Sequence, residues 1–134
     1  MKEKEGNLWD EKADAYIITT NGTVRMDGKL VMGAGIAREA TFRFSGIERV
    51  LGSHVNRFGN VPALVEMQGK TLISLPTRHN YYDSSSDMGL ILRSLSTVVS
   101  QITVLGLKEV VMPRLGAGYG RLDWNEVKSK IEPL

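Results

Sequence analysis

The chain has 134 residues, of which 42% are hydrophobic and 24% charged, and its formal net charge is +2. This length predicts one domain with its own core, and the composition is typical of a globular rather than a disordered protein. The sequence contains no cysteine, which excludes disulfides and thiolate metal sites. No apolar run reaches the roughly 20 residues of a membrane span, and no secretory signal opens the chain. We therefore expect a soluble, cytoplasmic protein that does not contact a membrane.

The elements predicted from the sequence alternate between strands and helices. In chain order they are a strand at 15–20, a helix from Ala34, a second helix from Ile47, strands at 62–67 and 71–75 joined by a hairpin turn, a long helix from 86 to 105, a strand at 109–112 and a short helix after Asp123. Apolar, β-branched runs indicate the strands, and spacings of three and four apolar residues indicate the helices. This alternation favours an α/β layered fold.

The long helix is the most regular of these elements. Ser86 is predicted to cap its start, and Gly106 to end it. Its predicted core face consists of Met88, Ile91, Leu95, Val98, Ile102 and Leu105.

Two glycine-rich segments follow predicted strands, where ligands bind in α/β sheets. One is Met32-Gly33-Ala34-Gly35-Ile36-Ala37, which runs into a helix, and the other is Leu115-Gly116-Ala117-Gly118-Tyr119-Gly120. Glycine lets a backbone approach a ligand closely, and the N–H groups of a helix start attract phosphate. Tight turns are the alternative interpretation of both. Neither segment completes a P-loop or a Gly-x-Gly-x-x-Gly fingerprint.

These segments, together with Asn21, Leu75-Pro76-Thr77 and Leu122-Asp123-Trp124, resemble a macrodomain, a family that binds ADP-ribose. The pattern is most similar to the branch with terminal ADP-ribose protein glycohydrolase, the yeast ADP-ribose 1''-phosphate phosphatase, and phage and bacterial macrodomains. The resemblance implies a three-layer α/β/α sandwich with a mixed central sheet, formed by residues 1–134 as a single domain. Relatives usually continue into a further strand or tail, which this chain is expected to lack.

The resemblance also implies a ligand site. The first glycine segment would wrap the diphosphate and distal ribose, the second would close over the diphosphate, and Gly6-Asn7-Leu8-Trp9 would hold the adenine, with Asn7 in place of the usual aspartate. Trp9 is equally well interpreted as a core anchor. The expected ligand-binding residues are Asn7, Leu8, Trp9, Asn21, Met32, Gly33, Ala34, Gly35, Ile36, Ala37, Pro76, Thr77, Arg78, Leu115, Gly116, Ala117, Gly118, Tyr119 and Gly120.

Catalysis is a separate question. Some members of the branch use a lysine after the Leu-Pro-Thr-like strand end and an aspartate in the second glycine segment, where this chain has Arg78 and Gly120. Arginine stays protonated and cannot act as a nucleophile, which disfavours a lysine-adduct mechanism; Arg78 would instead clamp a phosphate. Asn21 and His79 are the catalytic candidates, His79 as an acid or base or simply as an exposed loop residue.

Three interpretations of function follow. The protein is a hydrolase of an ADP-ribose derivative, such as ADP-ribose 1''-phosphate or an ADP-ribosylated protein or nucleic acid, or it is a module that only binds such a ligand. The third is a nucleic-acid-binding module that uses Arg78, Arg114 and Arg121, which predicts a steep salt dependence. With two histidines and no cysteine, we expect neither a metal site nor a cofactor.

Overall fold

The computed structural model describes Trp9 and residues 12–113. The elements in this part of the chain are β1 (Ala15–Thr20), α1 (Gly35–Arg43), α2 (Ile47–Phe58), β2 (Leu64–Met67), β3 (Lys70–Pro76), α3 (Met88–Leu105) and β4 (Val110–Val111). The predicted order of strands and helices over this range is confirmed. The last strand is shorter than the predicted 109–112, and the helix predicted after Asp123 lies outside the described residues.

The four strands form one mixed sheet in the order β2-β3-β1-β4. β1 pairs in parallel with both β3 and β4, whereas β2 and β3 form an antiparallel hairpin. The hairpin turn is Gln68-Gly69, and both residues have positive φ, 52° and 77°, as a two-residue type I′ turn requires. The expected mixed sheet is confirmed, and β1 is one of its two inner strands among the described residues.

Helices cover both faces of this sheet. Along β1, Tyr16 and Ile18 point to one face and join a core cluster with residues of α1 and α2, including Ala40 and Leu51. The side chains between them point to the opposite face, where Ile17 joins a second cluster with α3. Such alternation follows from the two-residue period of a strand. The fold is the expected three-layer α/β/α sandwich.

The start of α3 differs from the prediction. Its N-cap is Asp87, whose side chain accepts hydrogen bonds from the N–H groups of Gly89 and Leu90. Ser86 is buried one residue earlier and is therefore not the cap. Both residue types favour the N-cap position, so composition alone does not choose between neighbours. Gly106 ends the helix in the left-handed region, as predicted.

The core face of α3 is also partly different. Ile91, Leu95 and Val98 are buried as expected, but Leu105 is 53% exposed. The buried face also includes Leu90 and Ser94. It is therefore wider than predicted in the first half of α3 and does not extend to the end of the helix.

By length and composition alone, α3 is apolar enough to cross a membrane, so the expectation that no segment approaches this limit was too strong. Core helices pass the same test, and this one packs on β3.

Candidate functional site

The carboxyl ends of β1 and β3 lie side by side and place two predicted site residues near each other. Thr20 pairs with Pro76 in the strand register, and the N–H of Thr77 donates to the carbonyl of Thr20 at 3.0 Å. Asn21 follows β1, and Arg78 follows Thr77. We call this edge, with loops 21–34 and 77–87, the strand-end site. It is where α/β sheets bind ligands.

Asn21 holds the first loop together. Its Nδ2 donates to the carbonyl of Val31 at 2.9 Å, and its Oδ1 accepts from the N–H of Thr23 at 2.9 Å. The loop is closed further along by an antiparallel bridge between Val24 and Leu30. Because Asn21 holds the carbonyl of Val31 and Gly33 follows Val31 by two residues, the Cα of Gly33 lies within about 7 Å of that of Val31.

The glycine segment forms the start of α1. Gly35, its first residue, has φ 57°, a conformation that favours glycine, and no side chain in the described part of the chain caps this helix start. Gly33, Ala34 and Gly35 are exposed, and a Cβ added at either glycine would lie within 4 Å of no atom of the described residues. A nine-residue helix therefore presents its first N–H groups and its positive dipole end to an open surface, which suits an anion.

The second loop is closed on itself and tied to the first. The N–H of Asp87 donates to the carbonyl of Thr77 at 2.9 Å, which joins the two ends of the loop. The N–H of Gly22 donates to the carbonyl of His79 at 3.1 Å, and the N–H of Tyr81 donates to Thr23 Oγ1 at 3.1 Å. A compact surface loop with adjoining ends is typical of functional loops.

His79 contacts the cap of α3. Its Nε2 lies 2.7 Å from Asp87 Oδ2, while the other carboxylate oxygen caps the helix. The hydrogen bond from His79, followed by those from the N–H groups of Leu90 and Gly89, lowers the pKa of Asp87. The imidazole is about half exposed, so it is a loop residue oriented by a carboxylate.

Asp27 is a turn residue. Its Oδ1 accepts from the N–H of Lys29 at 3.1 Å, and Arg25 lies 3.2 Å from its Oδ2. The backbone hydrogen bond from Lys29 is the main cause that lowers the pKa of Asp27. A carboxylate held in this way is a poor general base. Within Trp9 and residues 12–113, no three acidic or histidine side chains are grouped as a metal site requires.

Comparison with known proteins places this geometry in a family. No protein-family model matches the chain. Over 103 residues, or 77% of this chain, the sequence is 31% identical to the ADP-ribose glycohydrolase OARD1 of Homo sapiens, with the same values for that of Bos taurus. The chain spans 66% of the length of these two relatives.

Solved structures similar to this chain include macrodomains. The macrodomain of Mycobacterium tuberculosis DarG has a TM-score of 0.84 and 25% identity, with 97% of this chain and 86% of that chain covered. The macrodomain of Thermus aquaticus DarG gives 0.81 and 27%, with 96% and 85% covered. The chain belongs to the macrodomain family. Thermosipho africanus DarTG in complex with ADP-ribose, at 20% identity and covering 95% of this macrodomain and 36% of that chain, shares the fold with a TM-score of 0.77.

Several predicted site residues of this macrodomain have buried side chains. Met32 and Ala37 are each 7% exposed and belong to the first core cluster. Pro76 and Thr77 are also buried, and the Thr77 hydroxyl donates to the carbonyl of Thr20 at 3.4 Å. These four residues therefore offer a ligand little more than backbone, whereas Gly33, Ala34 and Gly35 are open to solvent.

Trp9 is a core residue of the macrodomain. It is 6% exposed, its ring lies 5.7 Å from that of Tyr16 and 5.4 Å from that of Phe44, and the guanidinium of Arg43 lies over it at 5.6 Å. This environment supports the core-anchor interpretation, and the contact with adenine stays a prediction. Asn7, Leu8 and the segment from Leu115 to Gly120 lie outside the described residues.

Two residues that connect the loops, Gly22 and Asn60, are not among the predicted site residues. Gly22, one residue after Asn21, approaches His79 and Asn60 so closely that an added Cβ would lie 2.7–2.8 Å from them. Asn60 follows Gly59 in a pair typical of a turn, yet its Nδ2 donates to the carbonyl of Arg78 at 3.0 Å. The pairing spans 18 positions, and no local pattern reveals such a contact.

Proposed function

We propose that this macrodomain binds ADP-ribose, or a derivative of it, at the strand-end site. The observation that carries the proposal is the start of α1 at Gly33 and Gly35, where the described residues provide neither a side-chain cap nor any atom that fills the space above the two glycines. Unpaired backbone N–H groups at a helix start can hold a diphosphate without a lysine or a metal ion. Membership of the family and the ADP-ribose complex of DarTG support this choice of ligand.

The polar side chains of the site suit the sugar beyond the diphosphate. Asn21 uses one hydrogen and one lone pair of its amide within the loop, which leaves a second of each for a ligand hydroxyl. Arg78 is partly buried one residue beyond Thr77, and its guanidinium is a planar, permanent cation. We assign the distal ribose to this side of the site, and any phosphate on that ribose to Arg78.

Hydrolysis is the second candidate function. The curated relatives are ADP-ribose glycohydrolases, and His79 has the arrangement of an oriented base, with Asp87 at 2.7 Å. A hydrolase built on these residues would use the imidazole to take a proton from water, because Arg78 forms no covalent adduct. Its substrates would be ADP-ribose 1''-phosphate or an ADP-ribosylated protein or nucleic acid.

Calorimetric titration with ADP-ribose tests the binding proposal. Gly33→Glu places a carboxylate where the diphosphate would lie and is expected to abolish measurable heat. Val104→Glu is the matched control, because Val104 is 83% exposed and lies near the far end of α3, roughly 24 Å along the helix from its start. Folded wild-type protein that gives no heat and no thermal shift with ADP-ribose would contradict the proposal.

Product analysis separates the enzyme from the binding module. The wild-type protein is incubated with ADP-ribose 1''-phosphate and with ADP-ribosylated protein and DNA, and released phosphate and ADP-ribose are measured. Turnover that is lost in His79→Ala but retained in Val104→Ala supports hydrolysis. Tight binding without turnover of any of these substrates leaves the protein a reader of ADP-ribose.

A further inference from the structure

Three segments of the chain meet directly behind the strand-end site. Asn60 follows Gly59, the residue that ends α2, and its Nδ2 donates to the carbonyl of Arg78 at 3.0 Å. The next carbonyl along the chain, that of His79, accepts from the N–H of Gly22 at 3.1 Å. Two successive peptide groups after β3 are therefore held by two different segments.

The contact is tight as well as hydrogen bonded. A Cβ at Gly22 would lie 2.7 Å from the carbonyl oxygen of His79 and 2.8 Å from both Cγ and Nδ2 of Asn60. Real Cβ atoms do not approach other atoms this closely, so any larger residue at position 22 must push these segments apart. We call this contact of Gly22, Asn60 and the two carbonyls the junction.

Only one of the two polar atoms of the Asn60 amide, Nδ2, has a hydrogen-bond partner among the described residues. The Arg78 carbonyl can only accept, so Nδ2 faces it. The other amide atom, Oδ1, is buried and has no hydrogen-bond partner among the described residues. A buried acceptor without a partner lowers stability, and an apolar side chain would not carry that penalty. Core packing therefore does not account for an asparagine here, whereas the bond to Arg78 does.

We propose that Asn60 is a positioning residue of the ligand site. It fixes Arg78 and His79 relative to Asn21, which lies one residue before Gly22, and so determines the geometry with which the site receives the distal ribose. Asn60 itself acts only through the backbone of Arg78. The inference rests on the proposed binding of ADP-ribose and assigns a specific part of that ligand to the junction.

The test compares ADP-ribose with ADP, which lacks the distal ribose, on the variant Asn60→Asp. Aspartate keeps the size of the side chain but replaces the donor with an acceptor that repels the Arg78 carbonyl. Calorimetry is expected to show ADP-ribose bound roughly tenfold more weakly, because displacement of Arg78 and Asn21 removes about one hydrogen bond to the distal ribose, and ADP bound within about twofold of wild type. Asn56→Asp, the same change at an exposed position of α2, should alter neither affinity.

Gly22→Ala provides a second variant in case Asn60→Asp does not fold. It leaves Asn60 intact but forces the junction apart, and should reproduce the selective loss of ADP-ribose affinity. Unchanged ADP-ribose affinity in folded variants, or an equal loss for ADP, overturns the proposal.

Amide hydrogen exchange of residues 77–83 tests the junction without ligand. For Asn60→Asp, faster exchange of these residues is expected, with the melting temperature nearly unchanged. Unchanged exchange also overturns the proposal. A wild-type protein that binds no ADP-ribose contradicts the proposed function, and hydrogen exchange still decides whether Asn60 holds the loop.

Discussion

At Gly52, packing and helix propensity predict opposite changes in the free energy of unfolding when the glycine is replaced by alanine. It lies inside α2 and is buried, and a glycine in a helix interior is about 1 kcal/mol less favourable than alanine. Propensity alone therefore predicts that Gly52→Ala stabilises the protein. In the structure, however, an added Cβ would overlap the carbonyl oxygen of Gly28 and lie 2.9 Å from the backbone nitrogen of Leu30.

The size of the effect follows from these contacts. Both clashes are with backbone atoms, so the loop must move away from α2, and overpacking of this kind costs about 1–3 kcal/mol. The same movement weakens the hydrogen bond from the N–H of Leu30 to the carbonyl of Glu48, 2.9 Å long, for about 1 kcal/mol more. After the gain in propensity, Gly52→Ala should lower the free energy of unfolding by about 1–3 kcal/mol.

Thermal and urea unfolding followed by circular dichroism provide the assay. The melting temperature should fall by about 3–10 °C for a domain of this size. Gly89→Ala, in the first turn of α3, is the matched control, because its Cβ would meet only the side chains of Arg93 and Asp87 at 3.3 Å and should leave stability equal or slightly higher. If Gly52→Ala melts at or above the wild-type temperature, the close approach of α2 to the loop is wrong.

Three further predictions concern stability. Asp87→Ala removes the cap of α3 and the contact with His79 and should lower the free energy of unfolding by about 1–2 kcal/mol, whereas Asp87→Asn retains the cap. Because the folded protein lowers the pKa of Asp87, the stability that its charge contributes is present at neutral pH and lost as pH falls from about 4 through the lowered value. The gap between wild type and Asp87→Asn in urea unfolding should therefore narrow in acid, and a constant gap would refute the role of the charge. Ile91→Ala, at a fully buried position, should lower the free energy of unfolding by about 2–5 kcal/mol, and an effect as small as that of exposed Val104→Ala would contradict the core assignment. Gly69→Ala places a side chain at φ 77° and should lower the melting temperature through a loss of about 1 kcal/mol; an unchanged melting temperature would argue against the type I′ turn.

The sequence was sufficient for features that depend on local patterns. A continuous apolar, β-branched run predicted β1, the turn signal at Gln68-Gly69-Lys70 predicted the hairpin, and Gly106 predicted the end of α3. The ordered glycine segments predicted the family, and with it the mixed sheet that periodicity cannot supply. β1, the hairpin and the end of α3 share a cause, because each is fixed by residues that are close in the chain.

Features that depend on distant contacts were missed or misplaced. Ser86 and Asp87 are both residue types that can cap a helix. Asp87 caps α3, and it alone of the two contacts His79 and closes the loop through the bond from its N–H to the carbonyl of Thr77. Leu105 continues the helical period but extends past the core. Asn60 looks like a turn residue because its partner, Arg78, is 18 positions away. Side-chain roles at the site are tertiary properties, and the spacing of residues does not encode them.

The central place of β1 has a consequence for how the chain folds. β1 precedes its partner strands in the chain, but the Thr20 carbonyl at its end accepts from Thr77, 57 positions later, and Asp14 just before it accepts from the N–H of Lys108, 94 positions later. The chain loses conformational entropy when such long loops close, before the paired strands gain their contacts, so the parallel sheet should form slowly. The β2–β3 hairpin can form alone and early. The strand-end site exists only when β1 has paired with β3. Binding of ligand during refolding would therefore show that this pairing has formed. A ligand that binds only this state would also protect nascent chains from opening again.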